Sequence, residues 1–423
     1  MEGEETAYIG IRESWDGQRP FGLRSADRRQ HAYLLGKTGV GKSTLLRNLI
    51  LQDVYAGHGV GLIDPHGDLA RDVIDHLPSG RADDLVYFDA ADREFPLALD
   101  LLARRTGGHP HRVASGIVSA FKAIWHESWG PRLEYVLFAT VAALCECSNV
   151  SLLGVGRMLS DERYRAWVLR QVKDPVVRAF WLREFAGYDR RLVAEVIAPV
   201  QNKVGQILMA PPLRNIAGHV AGKVDVRFMM DTGRLFVANL AKGQLGEDKS
   251  NLLGALLTSQ FQLATMSRAD VPESERRPFH LYIDEFSSFS TGAVSSMLAE
   301  ARKYGLALVL SHQHTAQLPI EHREAILGNV GTIIAFRVGE SDAALLEREF
   351  GGDLPASRFS NLKNHQVLVK AMSDGQVVAP FAATTLAPID LPGGRAEKLI
   401  ARSREKYARP RSVVEDRILR WMG

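Results

Sequence analysis

The segment Gly36–Ser43, with the sequence GKTGVGKS, restricts the fold of this chain more than any other feature. It fits the pattern G-x-x-x-x-G-K-[ST], in which a glycine-rich turn joins a strand to a helix. The flanking sequence agrees with that context. The apolar run His31–Leu35 precedes the turn, and apolar residues with helical spacing follow it over Leu45–Val54. The motif therefore predicts a loop that holds phosphates at the beginning of a helix.

The residue types of this motif suit phosphate binding. Glycines let successive backbone N–H groups point inward without a Cβ in the way, and Lys42 can reach the β- and γ-phosphates. The hydroxyl of Ser43 is a ligand for Mg²⁺. A glycine-rich turn without a ligand is the alternative, and the flanking strand and helix disfavour it. With ATP and Mg²⁺ as the predicted cofactors, the predicted binding residues are Gly36, Lys37, Thr38, Gly39, Val40, Gly41, Lys42, Ser43 and Thr44.

Strand, turn and helix alternate around this motif, which is typical of parallel βαβ units. The predicted strands are 31–35, 59–63, 84–88, 234–240, 279–284, 306–311, 331–337 and 365–370. Between residues 107 and 222 the apolar residues recur at helical spacing and prolines interrupt the pattern, which indicates an all-helical segment. We therefore predict an α/β fold with a mainly parallel, doubly wound sheet and an all-α insertion domain.

The predicted domain limits follow from this pattern. An N-terminal strand region and the first part of the core occupy 1–106, and the all-α insertion occupies 107–222. The second part of the core occupies 223–390, and a basic tail occupies 391–423. Within the tail, residues 395–411 carry seven basic and two acidic side chains, and we expect a surface arm that ends in a short helix.

An acidic pair follows a second buried-strand pattern. Phe279–Ile283 is apolar and ends in Asp284 and Glu285. Asp284 is predicted to hold Mg²⁺ through water, and Glu285 is predicted to act as the general base that polarises the attacking water. The alternative is that the two carboxylates only cap the helix that follows.

Polar and cationic residues near other strand ends complete the predicted site. Gln313 follows the strand 306–311, and its amide can both donate and accept a hydrogen bond, so it is a candidate sensor of the γ-phosphate. The flanking His-x-His pattern is not expected to bind metal, because no third ligand lies nearby. Arg302 and Arg337 are candidates for a cation that completes a neighbouring subunit's site, although Arg302 could equally be a solvated helix end. In the segment DPHGD, Asp64 and Asp68 are secondary candidates, and Asp68 is expected to cap a helix.

Composition excludes several classes of protein. The chain has 423 residues, of which 46% are hydrophobic and 24% are charged, so it is not globally disordered. Its two cysteines, Cys145 and Cys147, exclude a disulfide framework, and their spacing does not suit a metal knuckle. No run of about 18 to 20 apolar residues is present, and the acidic N-terminus lacks the apolar region of a signal peptide. A cytoplasmic location is predicted.

The net charge of +3 conceals an uneven distribution. Residues 106–222 contain 14 lysines and arginines against 9 aspartates and glutamates. Contacts of such cations with phosphates would give binding to DNA that does not depend on base sequence. A solubilising helix surface is the alternative for each of them. The candidate cations are Arg163, Arg165, Arg170, Lys173, Arg190, Arg191, Lys203 and Arg214.

Four segments together resemble a known group of proteins. They are GKTGVGKST, VGLIDPHGDL, LYIDEF and EARKYGLALVLSHQ. Their combination resembles the HerA/FtsK superfamily of P-loop motors, and most of all the ATPase domain of type IV secretion coupling proteins, which pump DNA in conjugation. The resemblance covers roughly residues 30–390.

This resemblance implies a RecA-like core with an extra strand between the P-loop strand and the Asp-Glu strand. It implies an ATP-driven DNA translocase that forms a homohexameric ring around DNA, with an arginine finger from the neighbouring subunit. Arg302 lies eleven residues before Gln313, where the finger of that family lies, which favours it over Arg337. A relaxase or a secretion-channel protein is the implied partner, and it could recruit the chain to the inner membrane without direct insertion.

Other functions remain open at this point. Coupling proteins usually begin with transmembrane helices, and none is expected in this sequence. A HerA-like DNA-processing or defence motor and a secretion ATPase that moves proteins are therefore alternatives. An ATP-gated assembly switch is a third, although the intact Asp284-Glu285 pair argues against it, because a switch needs no efficient base.

Overall fold

The computed structural model describes residues 5–14, 17–102, 109–220, 222–289, 291–373 and 375–422. The chain divides into two compact units. Unit 1 contains Met1–Tyr87, Met229–Asn239 and Arg268–Arg402, and unit 2 contains Phe88–Phe228, Leu240–Ser267 and Ser403–Gly423. The chain passes between the units at positions that differ from the limits predicted from the sequence, and those limits stay a prediction.

Eleven strands of the described residues form one sheet, in the order β2-β1-β13-β10-β9-β3-β8-β7-β4-β6-β5, and β11 and β12 pair separately. The strands are β1 (Thr6–Ser14), β2 (Gly17–Arg24), β3 (Ala32–Leu35), β4 (Gly59–Asp64), β5 (Leu85–Asp89), β6 (Leu235–Asn239), β7 (Phe279–Ile283), β8 (Leu306–His312), β9 (Thr332–Ala335), β10 (Gln366–Lys370), β11 (Met372–Ser373), β12 (Gln376–Val377) and β13 (Phe381–Thr385). All eight predicted strands are present, with ends shifted by no more than two residues.

The centre of the sheet is parallel and buried. Strands β9, β3, β8, β7, β4 and β6 run in one direction, and β3, β4, β7, β8 and β9 are buried along their whole length. Strands covered on both faces read as continuous apolar runs, which explains why the sequence reveals them. Strand β8 lies between the P-loop strand β3 and the strand β7 that precedes Asp284, so the implied extra strand is confirmed.

One edge of the sheet is antiparallel, and the predicted strands did not include β1, β2 and β13 of this edge. Strands β1, β2, β13 and β10 pair antiparallel with one another, and β10 also pairs antiparallel with β9. Strand β2 is largely exposed, so it lacks the apolar run that marks a buried strand. This edge extends the parallel centre with residues from both ends of unit 1.

The helices of unit 1 pack on this sheet. They are α1 (Ser25–Arg28), α2 (Lys42–Tyr55), α3 (Asp68–Asp75), α14 (Gly292–Glu300), α15 (Ile320–Asn329), α16 (Glu340–Glu349) and α17 (Ala356–Ser360). Two further helices, α11 (Val226–Thr232) and α18 (Ala396–Tyr407), contain residues of both units. Leu45 and Leu49 of α2 join Leu34 and Leu62 of the sheet in one buried cluster. Full burial of such a side chain stabilises the fold by roughly 1.5–3 kcal/mol.

Unit 2 is built mainly from helices. They are α4 (Pro110–Ile124), α5 (Pro131–Cys145), α6 (Gly154–Ser160), α7 (Glu162–Leu169), α8 (Pro175–Ala179), α9 (Arg190–Met209), α10 (Pro211–Ala217), α12 (Lys242–Leu245), α13 (Glu247–Ser267) and α19 (Arg411–Met422). Within residues 109–220 the described elements are all helical, as the spacing of apolar residues predicted. The predicted fold class, a mainly parallel α/β sheet with an all-α part, is confirmed.

The prediction of a surface arm at the C-terminal end is wrong. Helix α18 places Leu399 and Ile400 in the buried cluster of unit 1. Arg402 pairs with Asp83 of the same unit. The seven basic residues of segment 395–411 lower its mean hydropathy. Composition therefore does not reveal the two apolar positions that face the core.

No helix among the described residues has both the length and the apolar content to cross a bilayer. Cys145 and Cys147 are not joined in a disulfide, and Sγ of Cys147 lies 3.3 Å from the carbonyl oxygen of Ala143.

Candidate nucleotide-binding site

The P-loop lies between β3 and α2 in unit 1. Its backbone turns through two left-handed glycines, Gly39 at φ 75° and Gly41 at φ 114°. Residues with a Cβ rarely adopt such angles, so these two positions need glycine. Helix α2 begins at Lys42, with Gly41 as its N-cap residue. The free N–H groups of the first turn therefore face the loop, where phosphates bind in loops of this kind.

Backbone hydrogen bonds fix both ends of the loop. The N–H of Gly36 donates to the carbonyl of His312 at 3.2 Å, and the N–H of Lys37 donates to the carbonyl of Arg337 at 2.9 Å. The carbonyl of Val40 accepts from the N–H of His365 at 2.9 Å. The carboxyl ends of β8 and β9 and the residue before β10 thus hold the loop in place.

The ammonium group of Lys42 is folded over the loop. Its Nζ donates to the carbonyls of Gly36 at 2.6 Å and of Lys37 at 3.0 Å, and the side chain is buried. Burial lowers the pKa of Lys42, and the charges of Glu285 and Asp284 oppose that shift. Phosphate oxygens are stronger partners for this cation than backbone carbonyls, so the arrangement suits a phosphate ligand.

The acidic pair follows β7. The Asp284 side chain is buried, and burial raises its pKa, as does the nearby charge of Glu285. A cation beside this carboxylate would offset that cost, and Ser43, exposed in the first turn of α2, supplies a hydroxyl ligand. The two residues fit the Mg²⁺ that P-loop sites use.

Glu285 has an unusual backbone conformation. Its φ is 46°, in the left-handed region that a residue with a side chain seldom adopts. Its N–H donates to Oδ1 of Asp284 at 3.1 Å. Such a conformation costs of order 1–3 kcal/mol and is typical of functional positions. Its carboxylate faces Gln313, and Glu285 directly precedes a short helical turn at Phe286–Phe289.

The amide of Gln313 connects the P-loop to Glu285. Its Oε1 accepts from Oγ1 of Thr38 at 2.8 Å, and its Nε2 donates to Oε1 of Glu285. Both functions of the amide are therefore used. The chain of hydrogen bonds thus joins the P-loop to the acidic pair.

The two histidines that flank Gln313 have separate partners. The hydroxyl of Tyr33 lies 3.0 Å from Nδ1 of His312, and His314 Nδ1 lies 2.7 Å from a carboxylate oxygen of Asp342. Burial lowers the pKa of His312 to about 4, so this imidazole stays neutral. Each of the two rings is thus held by a different side chain.

The helix cap expected from Asp68 is formed by Asp64 instead. The Asp64 carboxylate, at the end of β4, accepts from the N–H groups of His66 at 2.8 Å and Ala70 at 2.9 Å. Asp68 lies in the first turn of α3 and is exposed. Burial raises the pKa of Asp64, and Asp284 on the neighbouring strand adds to that shift.

The two candidate arginines lie at opposite ends of the parallel strands. Arg337 follows β9 beside the P-loop, and its guanidinium donates to the carbonyl of Leu362 at 3.5 Å. Arg302 precedes β8, whereas Gln313 follows it, and seven residues of strand separate these ends by about 20 Å. Arg302 is exposed, and among the described residues no acceptor takes a hydrogen bond from its guanidinium. It cannot reach the P-loop of its own chain.

His365 is a residue of the site that the sequence did not reveal. Its backbone has φ 66°, and a Cβ on Gly41 would lie only 2.6 Å from its Nδ1. The imidazole therefore lies directly against the P-loop. No motif marks this position, because the loop around it is polar and far from the glycine-rich segment in sequence.

Comparison with known proteins agrees with this geometry. Residues 232–354 match the family model described as the type IV secretion-system coupling protein DNA-binding domain. The bacterial conjugative coupling protein TrwBdeltaN70 has a similar structure, with a TM-score of 0.65 at 15% identity over 89% of each chain. The chain has the coupling-protein fold. The resemblance inferred from the sequence motifs is thus confirmed at the level of the family model and the fold.

Two further structures extend this comparison. Plasmid coupling protein TrwB in complex with ADP and Mg²⁺ gives a TM-score of 0.66 at 15% identity, over 89% of this chain and 90% of that one. VirB4 of Thermoanaerobacter pseudethanolicus gives 0.52 at 14% identity, over 92% and 97% of the two chains. No curated protein matches the chain in sequence.

Proposed function

We propose that the protein is an ATP-driven DNA translocase of the coupling-protein kind. The observation that carries the proposal is the line of hydrogen bonds from Thr38 through Gln313 to Glu285, beside a buried Lys42. It joins a phosphate-binding residue to a general base through an amide that can respond to the γ-phosphate. The coupling-protein family model, the fold shared with TrwB and the ADP and Mg²⁺ held by that relative support the assignment.

The residues of the site have distinct parts in hydrolysis. The loop amides and Lys42 hold the phosphates of ATP and stabilise the charge that develops on them. Ser43 and, through water, Asp284 would hold Mg²⁺, which would supply positive charge to the phosphate oxygens. Glu285 accepts a proton from the attacking water, and Gln313 orients that water and returns to Thr38 and Glu285 when the phosphate has left.

A second copy of the chain is needed to complete this site. Arg302 lies at the amino ends of the parallel strands, whereas its own P-loop lies at their carboxyl ends. The side chain of Arg302 is exposed and has no acceptor among the described side chains. In a closed ring, a heterologous interface repeats the same contact between each pair of neighbours. Arg302 of one subunit would then reach the γ-phosphate of the next and act as an arginine finger. A homohexameric ring is the assembly we propose.

DNA is the proposed cargo. Five of the eight candidate cations are exposed, whereas Arg165 and Arg214 are half-buried and Lys203 is buried. The exposed ones are Arg163, Arg170, Lys173, Arg190 and Arg191. Contacts of this kind attract phosphates without reading bases, as a translocating motor requires.

Translocation itself can be measured by displacement of an obstacle. We expect the protein to remove a streptavidin or a third DNA strand from linear DNA in the presence of ATP and Mg²⁺. Glu285→Gln should bind ATP and DNA and displace nothing, because only the general base is lost. An obstacle released equally by wild type and Glu285→Gln would contradict a motor driven by hydrolysis.

Membrane recruitment and the cellular partner belong to the same proposal. A relaxase or a secretion-channel protein at the inner membrane would supply DNA to the ring or accept it. A protein cargo is the outcome to be distinguished. Rings that form without binding DNA at low salt would favour it, because the phosphate contacts would then be missing.

A further inference from the structure

A cluster of polar side chains lies in unit 1 at the amino ends of β4 and β7, whereas the P-loop lies at the carboxyl ends of the parallel strands. Asp53 lies near the end of α2, His58 precedes β4, and His280 is the second residue of β7. Asp53 and His280 are buried and His58 is half-buried. One ligand atom from each of the three lies within 4.8 Å of the other two. The proposed hydrolysis of ATP uses none of them.

The carboxylate of Asp53 is held in a fixed orientation. Nη1 of Arg28 donates to Oδ1, Nη2 of Arg28 donates to Oδ2 at 2.7 Å, and the hydroxyl of Tyr282 donates to Oδ2 at 2.5 Å. A carboxylate has about four lone-pair positions, so three are in use. The fourth is on Oδ1, which lies 3.5 Å from Nδ1 of His58.

The imidazole of His58 lies between two carboxylates. Its Nδ1 faces Oδ1 of Asp53 at 3.5 Å, and its Nε2 lies 2.9 Å from Oε2 of Glu5. A neutral ring carries one hydrogen, so it can donate to only one of the two. With that hydrogen on Nε2, the lone pair of Nδ1 is free to bind a metal ion. A histidine that binds metal through one nitrogen typically donates from the other nitrogen to a carboxylate, as His58 does to Glu5.

The ring of His280 has an unsatisfied nitrogen. Its Nδ1 is buried, and in the described part of the chain no group forms a hydrogen bond with it. This atom lies 3.9 Å from Oδ2 of Asp53, and the ring lies 5.2 Å from that of His58 between centroids. Leaving such an atom without a partner is costly. A cavity of about 50 Å³ lined by both imidazoles adjoins the cluster and has room for a water ligand.

We propose that Asp53, His58 and His280 bind one Zn²⁺ ion. Two imidazoles and a carboxylate form a donor set that Zn²⁺ accepts, with water as the fourth ligand. Ligands at the usual Zn–N and Zn–O distances lie about 3.4 Å apart in a tetrahedron, and the 3.5 Å between Nδ1 of His58 and Oδ1 of Asp53 is close to that value. The ion would fasten the end of the P-loop helix α2 to β7, whose other end carries Asp284. The inference does not depend on the proposed motor function.

Metal content tests the proposal directly. The whole purified chain is incubated with Zn²⁺, dialysed and analysed by mass spectrometry. We expect about one Zn²⁺ per chain for wild type and less than about a fifth of that for His58→Gln and His280→Ala. His111→Ala is the matched control, because Nε2 of His111 lies 2.9 Å from a carboxylate oxygen of Asp174 without a third ligand in the pair. It should bind Zn²⁺ as wild type does.

Spectroscopy covers the case in which a variant fails to fold. Co²⁺ in place of Zn²⁺ should give wild type the visible absorption of a four-coordinate ion, and His58→Gln, changed at a half-buried position, should lack it. Wild type that retains no Zn²⁺, or variants that retain as much as wild type, would overturn the proposal. Wild type that binds no Zn²⁺ and yet hydrolyses ATP would reject the zinc site and leave the motor function intact.

Discussion

At the scale of single residues, the candidate site depends on a few side chains that the backbone holds in constrained positions. Glu285 and the two glycines of the P-loop have left-handed backbones, and Lys42 is buried. The conformation of Glu285 and the burial of Lys42 cost free energy, and such costs concentrate where function requires them. The sequence predicts these residues because their chemistry requires particular residue types at fixed spacing.

Replacing Gln313 by Ala tests the line of hydrogen bonds at this scale. The change removes the bond from Thr38 and the bond to Glu285, whereas Lys42 and the loop amides still hold the phosphates. We expect kcat to fall by about 10- to 100-fold and the Kd for ATP to change by less than about threefold. Steady-state turnover and titration with a fluorescent ATP analogue measure the two quantities.

Gln244→Ala is the matched control for this variant, because Gln244 is an exposed amide in α12, outside unit 1. It should change turnover by less than about twofold. A Kd that rises in Gln313→Ala while kcat stays unchanged would show that Gln313 serves binding alone.

Other residues of the site could not be predicted. His365 lies against Gly41 only because a loop before β10 folds back on the P-loop. The buried ion pair between Arg28 and Asp53 joins residues 25 positions apart that belong to no motif. Contacts of this kind are determined by the packing of elements, and one sequence contains no periodic signal for them.

At the scale of elements, the entry into β3 contains a buried histidine that should make stability depend on pH. Burial lowers the pKa of His31 to about 4, and its Nδ1 accepts from the N–H of Leu308 at 3.1 Å. The unfolded chain binds a proton near the ordinary pKa of about 6.5. Between these values only the unfolded state is protonated, so the contribution of His31 to stability is lost as the pH falls from about 6.5 to 4.

Replacing His31 by Asn should weaken this dependence. An asparagine tolerates the φ of 64° at this position, and its Oδ1 can accept from the same N–H. We expect the slope of unfolding free energy against pH to become shallower by up to about 1.4 kcal/mol per pH unit. His280 and His312, whose pKa values burial also lowers, account for part of the slope that remains.

Urea denaturation of wild type and variant between pH 7 and pH 4.5, approximately the window of titration, measures this slope. The exposed His126, changed to Asn, is the control and should leave the slope as it is. Identical pH profiles for wild type and His31→Asn would contradict the prediction.

Helix α18 provides a second test at this scale. Leu399 is 6% exposed and belongs to the core of unit 1, whereas its neighbour Lys398 is exposed. We expect Leu399→Ala to lower the free energy of unfolding by about 2–4 kcal/mol, because it leaves a cavity, and Lys398→Ala to change it by less than about 0.5 kcal/mol. Equal stability of the two variants in urea would indicate that α18 is the surface arm expected from its charge.

The buried strands could be predicted from the sequence, whereas the exposed edge strands and α18 could not, for a physical reason. The parallel strands around β3 and β7 were predicted because burial on both faces requires apolar runs. The antiparallel edge with β2 and β13 is partly exposed, so its residues do not form such runs. In α18 the charges outnumber the buried positions, and composition alone indicated a solvated segment.

At the scale of the whole molecule, the separation of Arg302 from its own P-loop predicts shared sites. A Lys42→Ala subunit still offers Arg302, and an Arg302→Ala subunit still offers Lys42. Each variant alone should be inactive. An equal mixture should recover up to about a quarter of wild-type turnover, because about one interface in four combines both intact residues.

A parallel mixture of Lys42→Ala with Arg337→Ala serves as the comparison. Arg337 lies beside the P-loop of its own chain, where its backbone carbonyl accepts from Lys37, so Lys42→Ala subunits should add nothing to the turnover that the Arg337→Ala subunits show alone. Recovery with Arg337→Ala and none with Arg302→Ala would exchange the roles of the two arginines.

The most direct test of a DNA-driven motor with shared sites is ATP turnover measured with and without DNA across a range of protein concentrations. We expect DNA to stimulate turnover several-fold, roughly 3- to 10-fold, and the activity per subunit to rise with concentration as rings assemble. Lys42→Ala and Glu285→Gln should abolish turnover under all conditions. Turnover that is the same with and without DNA, at a constant activity per subunit in a monomer, would contradict the account.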